Sequence, residues 1–227
     1  MRRRFMSNKK TKSVKYCTIT ATQDNTSISS SNYLDIYYAI NNTDYWSRGS
    51  TLIFATLNAG DSIYLKSIDL GVGNKRVNID CDKDVILSGN ILSLVFGDNN
   101  SNETSLSHIK GGIASFSNVI KVSSDFLPSK ELCARCYESM FANCPRLTQA
   151  PELPATTLAP YCYRYMFNGC TNLNYIKMLA TDISADGCLY KWVSGVASSG
   201  TFVKNKYAAW NITGNSGIPT GWTVKTE

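Results

Sequence analysis

The chain has 227 residues, 43% of them hydrophobic and 11% aromatic, with 23 basic and 17 acidic side chains for a net charge of +6. That is enough apolar material for two modest cores, and no run approaches the roughly 18 consecutive apolar residues of a membrane span. Eight cysteines in so long a chain, with no apolar export stretch, also argue against a disulfide-stapled secreted scaffold.

The leader comes first. Residues 1–15 carry Arg2, Arg3, Arg4, Lys9, Lys10, Lys12 and Lys15 and no acid, while the remaining 16 basic and 17 acidic residues nearly cancel. The positive excess therefore sits on one polar segment. It has the charged start of a signal peptide but no apolar stretch behind it, so no Sec-type export is expected. Residues 1–15 read as a basic flexible or anchoring arm, with Arg2, Arg3 and Arg4 as candidate anchors on an acidic surface. The alternative is a solvated terminus that keeps the chain soluble. Nucleic acid is not the expected partner, since that reading would rest on the leader alone.

Residues 16–110 read as an antiparallel β domain. "YCTITAT", "YLDIYYAI", "TLIFATL", "DSIYLKSI", "RVNID" and "DVILSGNILSLVF" are short, β-branched and aromatic, and Asn, Asp, Gly and Ser separate them. In "NYLDIYYAI" the period of two places Leu34, Ile36, Tyr38 and Ile40 on one face, with Tyr33, Asp35, Tyr37 and Ala39 on the other. A small sandwich is the expected packing. Asp80, Asp82 and Asp84 alternate as in a calcium loop but lack the glycine and terminal glutamate of an EF-hand, so a solvated turn is expected. The turn-rich stretch Gly97 to Gly112 leads out of the domain and holds the only histidine, His108.

Cys133 and Cys136 form a CxxC, which holds zinc when a second ligand pair follows at suitable spacing. None does, and no metal site is expected. A repeat explains the cysteines better. Cys136, Tyr137, Met140, Phe141, Cys144 and Leu147 recur 26 residues later as Cys162, Tyr163, Met166, Phe167, Cys170 and Leu173. A worn third copy follows in phase with Cys188, Trp192, Val193 and Val196. A degenerate upstream copy sets Leu127, Pro128 and Leu132 26 residues before Leu153, Pro154 and Leu158, with one residue lost earlier in the unit. Apolar positions at i, i+4, i+5 and i+8 predict a short helix in each unit, with cysteine as a small core hydrophobe. "RLTQAPELP" predicts a short extended segment and a turn. Residues 111–200 are thus expected to stack 26-residue units, each burying its apolar face on its neighbours.

The pattern "CYxxMFxxCxxLxxAPELPATTLAxxCYxxMFxGCTxLNYIK" resembles the BspA-like leucine-rich repeats of surface proteins of gut and oral bacteria and of virion proteins of tailed phages that infect them. The opening "MRRRF", the "LVFGD" at Leu94 to Asp98 and the ending from Gly195 to Glu227 are similar to phage and prophage members of the same layout. The resemblance implies an α+β chain in which the sandwich-like domain precedes a short leucine-rich-repeat solenoid with a C-terminal cap at 201–227. It also implies a virion protein, a fibre or decoration on head or tail, assembled in the host cytoplasm. Other virion proteins would hold its N-terminal region, and a host-surface glycan or protein would bind the repeats. By analogy with fibres and spikes it would be a homo-oligomer, a trimer or dimer. The alternative is a bacterial cell-surface adhesin.

In the cap, Trp210 and Trp222 stand among glycines, where they either hide the apolar end of the array or form a platform for sugar. Tyr161 and Tyr165, in "YCYRYMF", alternate with core positions and are the other candidate surface-binding residues. The chain has no Gly-rich phosphate loop, GxSxG elbow or HExxH, so no enzyme, catalytic residue or cofactor is expected.

Overall fold

The structure, a computed structural model, describes residues 14–30, 36–49, 53–67, 76–101, 105–107, 109 and 111–227. The candidate anchors Arg2, Arg3 and Arg4 lie outside these, as do His108 and the start of "YLDIYYAI". Eight strands form first: β1 (Cys17–Ala21), β2 (Thr26–Ser30), β3 (Ile36–Ile40), β4 (Ser47–Gly49), β5 (Ile53–Leu57), β6 (Ser62–Ser67), β7 (Val77–Cys81) and β8 (Val85–Ser88). A single turn of α-helix, α1 (Ser93–Phe96), and a 3-10 turn at Gly97–Ser101 follow. Then come β9 (Ala114–Phe116), β10 (Val119–Val122), β11 (Tyr175–Met178), β12 (Thr201–Lys204) and β13 (Thr223–Thr226).

Two sheets make the N-terminal half, one in the order β10-β8-β1-β6-β3-β4 and the other β5-β2-β7-β9. Alternation drives them. Cys17, Ile19 and Ala21 of β1, with Ile63 and Leu65 of β6, point inward and are at most 2% exposed, while Thr18, Thr20, Ser62 and Tyr64 share the outer face. Val77, Ile79 and Cys81 of β7 and Ile28 of β2 belong to the same buried cluster. β3 keeps the expected phase only in part. Ile36 is buried, but Ile40, at the strand's end, is 40% exposed, and Ala39 on the opposite face is covered.

The sheets are mixed rather than antiparallel. β10 pairs parallel to β8, and β9 pairs parallel to β7, so the degenerate first copy of the repeat supplies a strand to each sheet. Asp84, buried before β8, makes an ion pair with Arg146 at 2.6 Å. The buried cluster continues without a break from β1 through Phe116 and Phe126 to Phe141, Phe167, Trp192 and Trp222.

The expected α+β fold with a helix-bearing leucine-rich-repeat solenoid is not what forms. The chain is nearly all β, 33% strand and 4% helix, and the repeats do not close into such a solenoid. Where helices were expected, at 136–144 and 162–170, the backbone makes consecutive turns. Positive φ recurs every fourth residue, at Arg135, Ser139 and Asn143, then at Tyr161, Tyr165 and Gly169, then at Gly187, Lys191 and Gly195. No α-helix survives that, because its hydrogen-bond ladder needs right-handed φ throughout.

The hydrogen bonds show what replaces it. Arg135, Tyr137, Ser139, Phe141 and Asn143 donate their N–H groups to the carbonyls of Pro160, Cys162, Arg164, Met166 and Asn168, one repeat ahead, at 2.7–3.0 Å. The alternate residues, Cys136, Glu138, Met140, Ala142 and Cys144, donate to carbonyls three residues back at 3.2–3.4 Å. Residues 161–169 bond to 186–194 in the same way. Each unit is therefore a tier of turns hydrogen-bonded to the next tier, and β11, β12 and β13 extend the stacking as a three-stranded parallel sheet.

Inward positions come in adjacent pairs four residues apart: Cys136 and Tyr137, then Met140 and Phe141, then Cys144, all at most 1% exposed. Their rings stack tier on tier. Tyr137 and Tyr163 lie 6.1 Å apart at 7°, Phe141 and Phe167 5.6 Å apart at 8°, and Phe116 begins the second column 6.4 Å from Phe141. All eight cysteines are free and buried. Two of them also tie one tier to the tier before it: the thiol of Cys144 donates to the carbonyl of Phe116 at 3.4 Å, and that of Cys170 to the carbonyl of Phe141 at 3.0 Å.

Candidate binding surface

Two residues in every four face inward, so the other two face outward in register from tier to tier. The left-handed positions mark the outward columns. In one column Arg135, Tyr161 and Gly187 follow one another; in the next Ser139, Tyr165 and Lys191 do. The ring of Tyr161 lies across Gly187, where a Cβ would come within 2.4 Å of its Cε1. Only glycine gives that ring its bed.

Around these columns cations and aromatic faces interleave. The Arg135 guanidinium stands 4.6 Å from the Tyr161 ring centre, and that of Arg164 4.9 Å from Tyr165 and 5.7 Å from both Tyr161 and Tyr190. Tyr165 meets Tyr190 edge to face at 5.5 Å, and the Lys191 ammonium lies 5.5 Å from Tyr190. Glu138 bridges Arg135 at 3.0 Å and Arg164 at 3.6 Å, which fixes both guanidinium groups. The Tyr161 hydroxyl donates to Asp186, and this bond raises the Tyr161 pKa, so the phenol stays protonated. Tyr190 is 44% exposed and Arg135 is exposed, whereas Tyr161 and Tyr165 are half-buried. A rigid strip of guanidinium and phenol groups is suited to contact binding.

Of the four expected surface residues, the structure brings Tyr161 and Tyr165 together on this strip and puts the two tryptophans elsewhere. Trp222 is 6% exposed and donates its indole N–H to the Ala197 carbonyl at 2.7 Å; it closes the stack and presents no face to solvent. Trp210, half-buried, donates to the Ala180 carbonyl at 2.8 Å and packs edge to face on Phe202 at 5.9 Å. The residues the sequence reading missed are Arg135, Arg164, Tyr190 and Lys191. Arg135 and Lys191 stand one repeat before Tyr161 and one after Tyr165, so reading outward positions down the repeat would have found them.

Among the described residues no group of three or more His, Cys, Asp or Glu could hold a metal ion. Cys133 and Cys136 are core residues, and the Cys133 thiol donates to the Gly111 carbonyl at 3.7 Å. Asp80, Asp82 and Asp84 diverge: Asp80 is exposed, Asp82 accepts the Ser27 N–H at 2.7 Å, and Asp84 pairs with Arg146. At the edge of the leader, Lys15 pairs with Asp125 at 2.6 Å. Among the described residues no helix is long and apolar enough to cross a membrane.

Compared with protein-family models, curated proteins and solved structures, the chain finds no match in any of the three.

Proposed function

We propose that this chain is a non-enzymatic binding and structural protein whose stacked tiers present the Arg135–Lys191 strip to a partner. The observation that carries this is the strip itself: aromatic and cationic groups held at equivalent positions of successive tiers, on a scaffold whose rings and thiols are fully buried. Such a surface gains from repetition, since weak contacts from many copies sum to an avidity beyond that of any one.

The setting we propose is the exterior of a tailed-phage virion, on a head or tail fibre or decoration. What supports it is the sequence resemblance of residues 136–178 and of both termini to phage and prophage proteins of this layout; that resemblance lies in residues and spacing, not in a helix-bearing solenoid. In this reading the N-terminal half attaches to other virion proteins and the tiers face the host, whose surface protein or glycan is the ligand. Dimers or trimers would supply the copies.

Immunogold microscopy of intact particles, with an antibody against residues 113–227, tests the setting. Label on the particle exterior is expected; label confined to bacterial cells would replace the virion with a cell-surface adhesin. Light scattering that gives a monomer mass would overturn the oligomer. For the strip, replacing Arg164 and Tyr165 together by Ala is expected to lower host-cell binding at least tenfold while changing the unfolding free energy by no more than about 1 kcal/mol.

A further inference from the structure

On the outer face of the larger sheet the chain forms a second surface of different chemistry. A groove of about 570 Å³ runs over β1, β6 and β8, within the range of small-ligand sites. Its floor is a grid of hydroxyls. Thr18 stands across from Tyr64 on one side and Ser88 on the other, and Thr20 stands across from Ser62. The Thr20 and Ser62 hydroxyls bond each other at 2.8 Å, and Thr18 donates to the Tyr16 carbonyl at 2.9 Å. Tyr64 and Ser88, both half-buried, spend their hydroxyls on no partner among the described residues.

The β3–β4 connection makes the wall and contributes Asn42 and Asp44 to the lining. It is pinned at its base: Asn41 donates its side-chain N–H to Asp61 at 2.8 Å and accepts the Ser62 N–H at 2.9 Å. Next to the lining residue Asp44, Tyr45 is 83% exposed. Trp46 packs edge to face on Tyr16, another lining residue, at 4.9 Å, with the Lys66 ammonium 4.2 Å from its ring centre.

Charge narrows the ligand. Among the described residues both lysines at the groove are matched, Lys15 with Asp125 at 2.6 Å and Lys66 with Asp98 at 2.9 Å, while the exposed Asp44 carboxylate of the wall has no ion-pair partner and disfavours an anion. What remains unmet is the hydroxyls of Tyr64 and Ser88, the Asn42 amide N–H, the Asp44 carboxylate and exposed aromatic surface, which together serve a ligand that is not anionic, rich in hydroxyls to donate and accept, and flat on one face. We propose that this groove binds a neutral oligosaccharide. The site is separate from the tier strip and does not depend on the virion reading.

The test uses the full chain and uncharged hexose and N-acetylhexosamine oligosaccharides of roughly three to six units, a length chosen for an open groove of this size, first on a printed array and then by titration. Retention of uncharged sugars is expected, with affinity lowered about tenfold or more in Tyr64→Ala, unchanged in Tyr207→Ala, an exposed tyrosine on neither surface, and steady from about 50 to 500 mM salt. Asn42→Ala and Tyr45→Ala, both at exposed loop positions, serve if Tyr64→Ala does not fold, and at least one must weaken binding. Four results overturn the proposal: no uncharged sugar retained at millimolar concentration, full binding in all groove variants, loss of binding in Tyr207→Ala, or binding abolished by salt. None bears on particle labelling, so this site and the virion reading fail separately.

Discussion

The two halves of this molecule solve one problem, hiding apolar side chains while pairing every backbone group, with two different periods. In the N-terminal sheets burial alternates residue by residue, and nearly every strand pairs with one from the same half of the chain. In the tiers burial runs two in and two out, and the pairing partner lies one repeat ahead. The sheets take their order from hairpins and crossovers, the tiers from copying. Where the halves join, β9 and β10 obey both rules at once: they are sheet strands, and Phe116, the last residue of β9, is the first ring of a stacked column.

The comparison breaks most completely in alkali. Burial pushes the thiols of Cys81, Cys162 and Cys170 up to about 12, and that of Cys144 to about 11, from an ordinary value near 9. The folded chain keeps these protons after the unfolded chain has released them, so stability is intact below about pH 9 and falls as pH rises toward 12. Three thiols shifted this far amount to on the order of 10 kcal/mol near pH 12, comparable to the whole stability of a domain. Unfolding midway through that window is expected by circular dichroism. At pH 8 a thiol reagent should find almost no reactive cysteine in the native chain.

Next in size is the loss of a stacked ring. Phe167, fully buried between Phe141 and Trp192, should cost about 3–5 kcal/mol when replaced by Ala, and Leu65→Ala in β6 about 2–5 kcal/mol. Three of the four tryptophans lie in the tiers and only Trp46 in the sheets, so fluorescence reports mainly on the tiers. Because the buried cluster is continuous, Phe167→Ala should lower the fluorescence and circular-dichroism midpoints together. Separate transitions would show that the halves unfold independently.

Smaller effects test the left-handed positions. Gly187→Ala places a Cβ against the Tyr161 ring at φ +56° and should cost about 2 kcal/mol; Gly60→Ala in a sheet turn, at φ +90° with open space around it, should cost about 1 kcal/mol. Ser139→Gly has the opposite sign. At φ +53° serine is strained and glycine is not, so urea melts should show a gain of about 0.5–1 kcal/mol.

Much of this was legible in the residues. The alternation in "YCTITAT" and "DSIYLKSI" gave β1 and β6 their faces, and the 26-residue recurrence placed Cys136, Met140, Phe141 and Cys144 in the core. The helix was misread because, over nine residues, a turn spiral of four per repeat and a helix of 3.6 stay nearly in phase, so i, i+4, i+5 and i+8 fit both. The distinguishing signal was the outward residue before each inward pair, where Asn143, Gly169, Gly187 and Gly195 tolerate left-handed backbone that a helix interior would not use. Most of the strip was missed for a related reason: Tyr161 and Tyr165 stand out as aromatics, but Arg135, Arg164, Tyr190 and Lys191 become their neighbours only when tiers are stacked. The sheet groove had no local signature, since its hydroxyls come from three strands brought together by pairing.

The hydrogen-bonding between tiers has a consequence for inheritance. The upper surface of one tier accepts the lower surface of the next by the same contacts each time, so an in-frame duplication or loss of one repeat's coding sequence would insert or remove a complete layer, about 4.8 Å tall, without remaking either end. Units 136–147 and 162–173 share the inward Cys, Tyr, Met, Phe, Cys and Leu and differ at the other positions, so a copied layer would keep its core while its outer face is free to change. The reach of this protein can therefore change between lineages in whole steps, while the sheets below and the tryptophan-closed end above stay as they are.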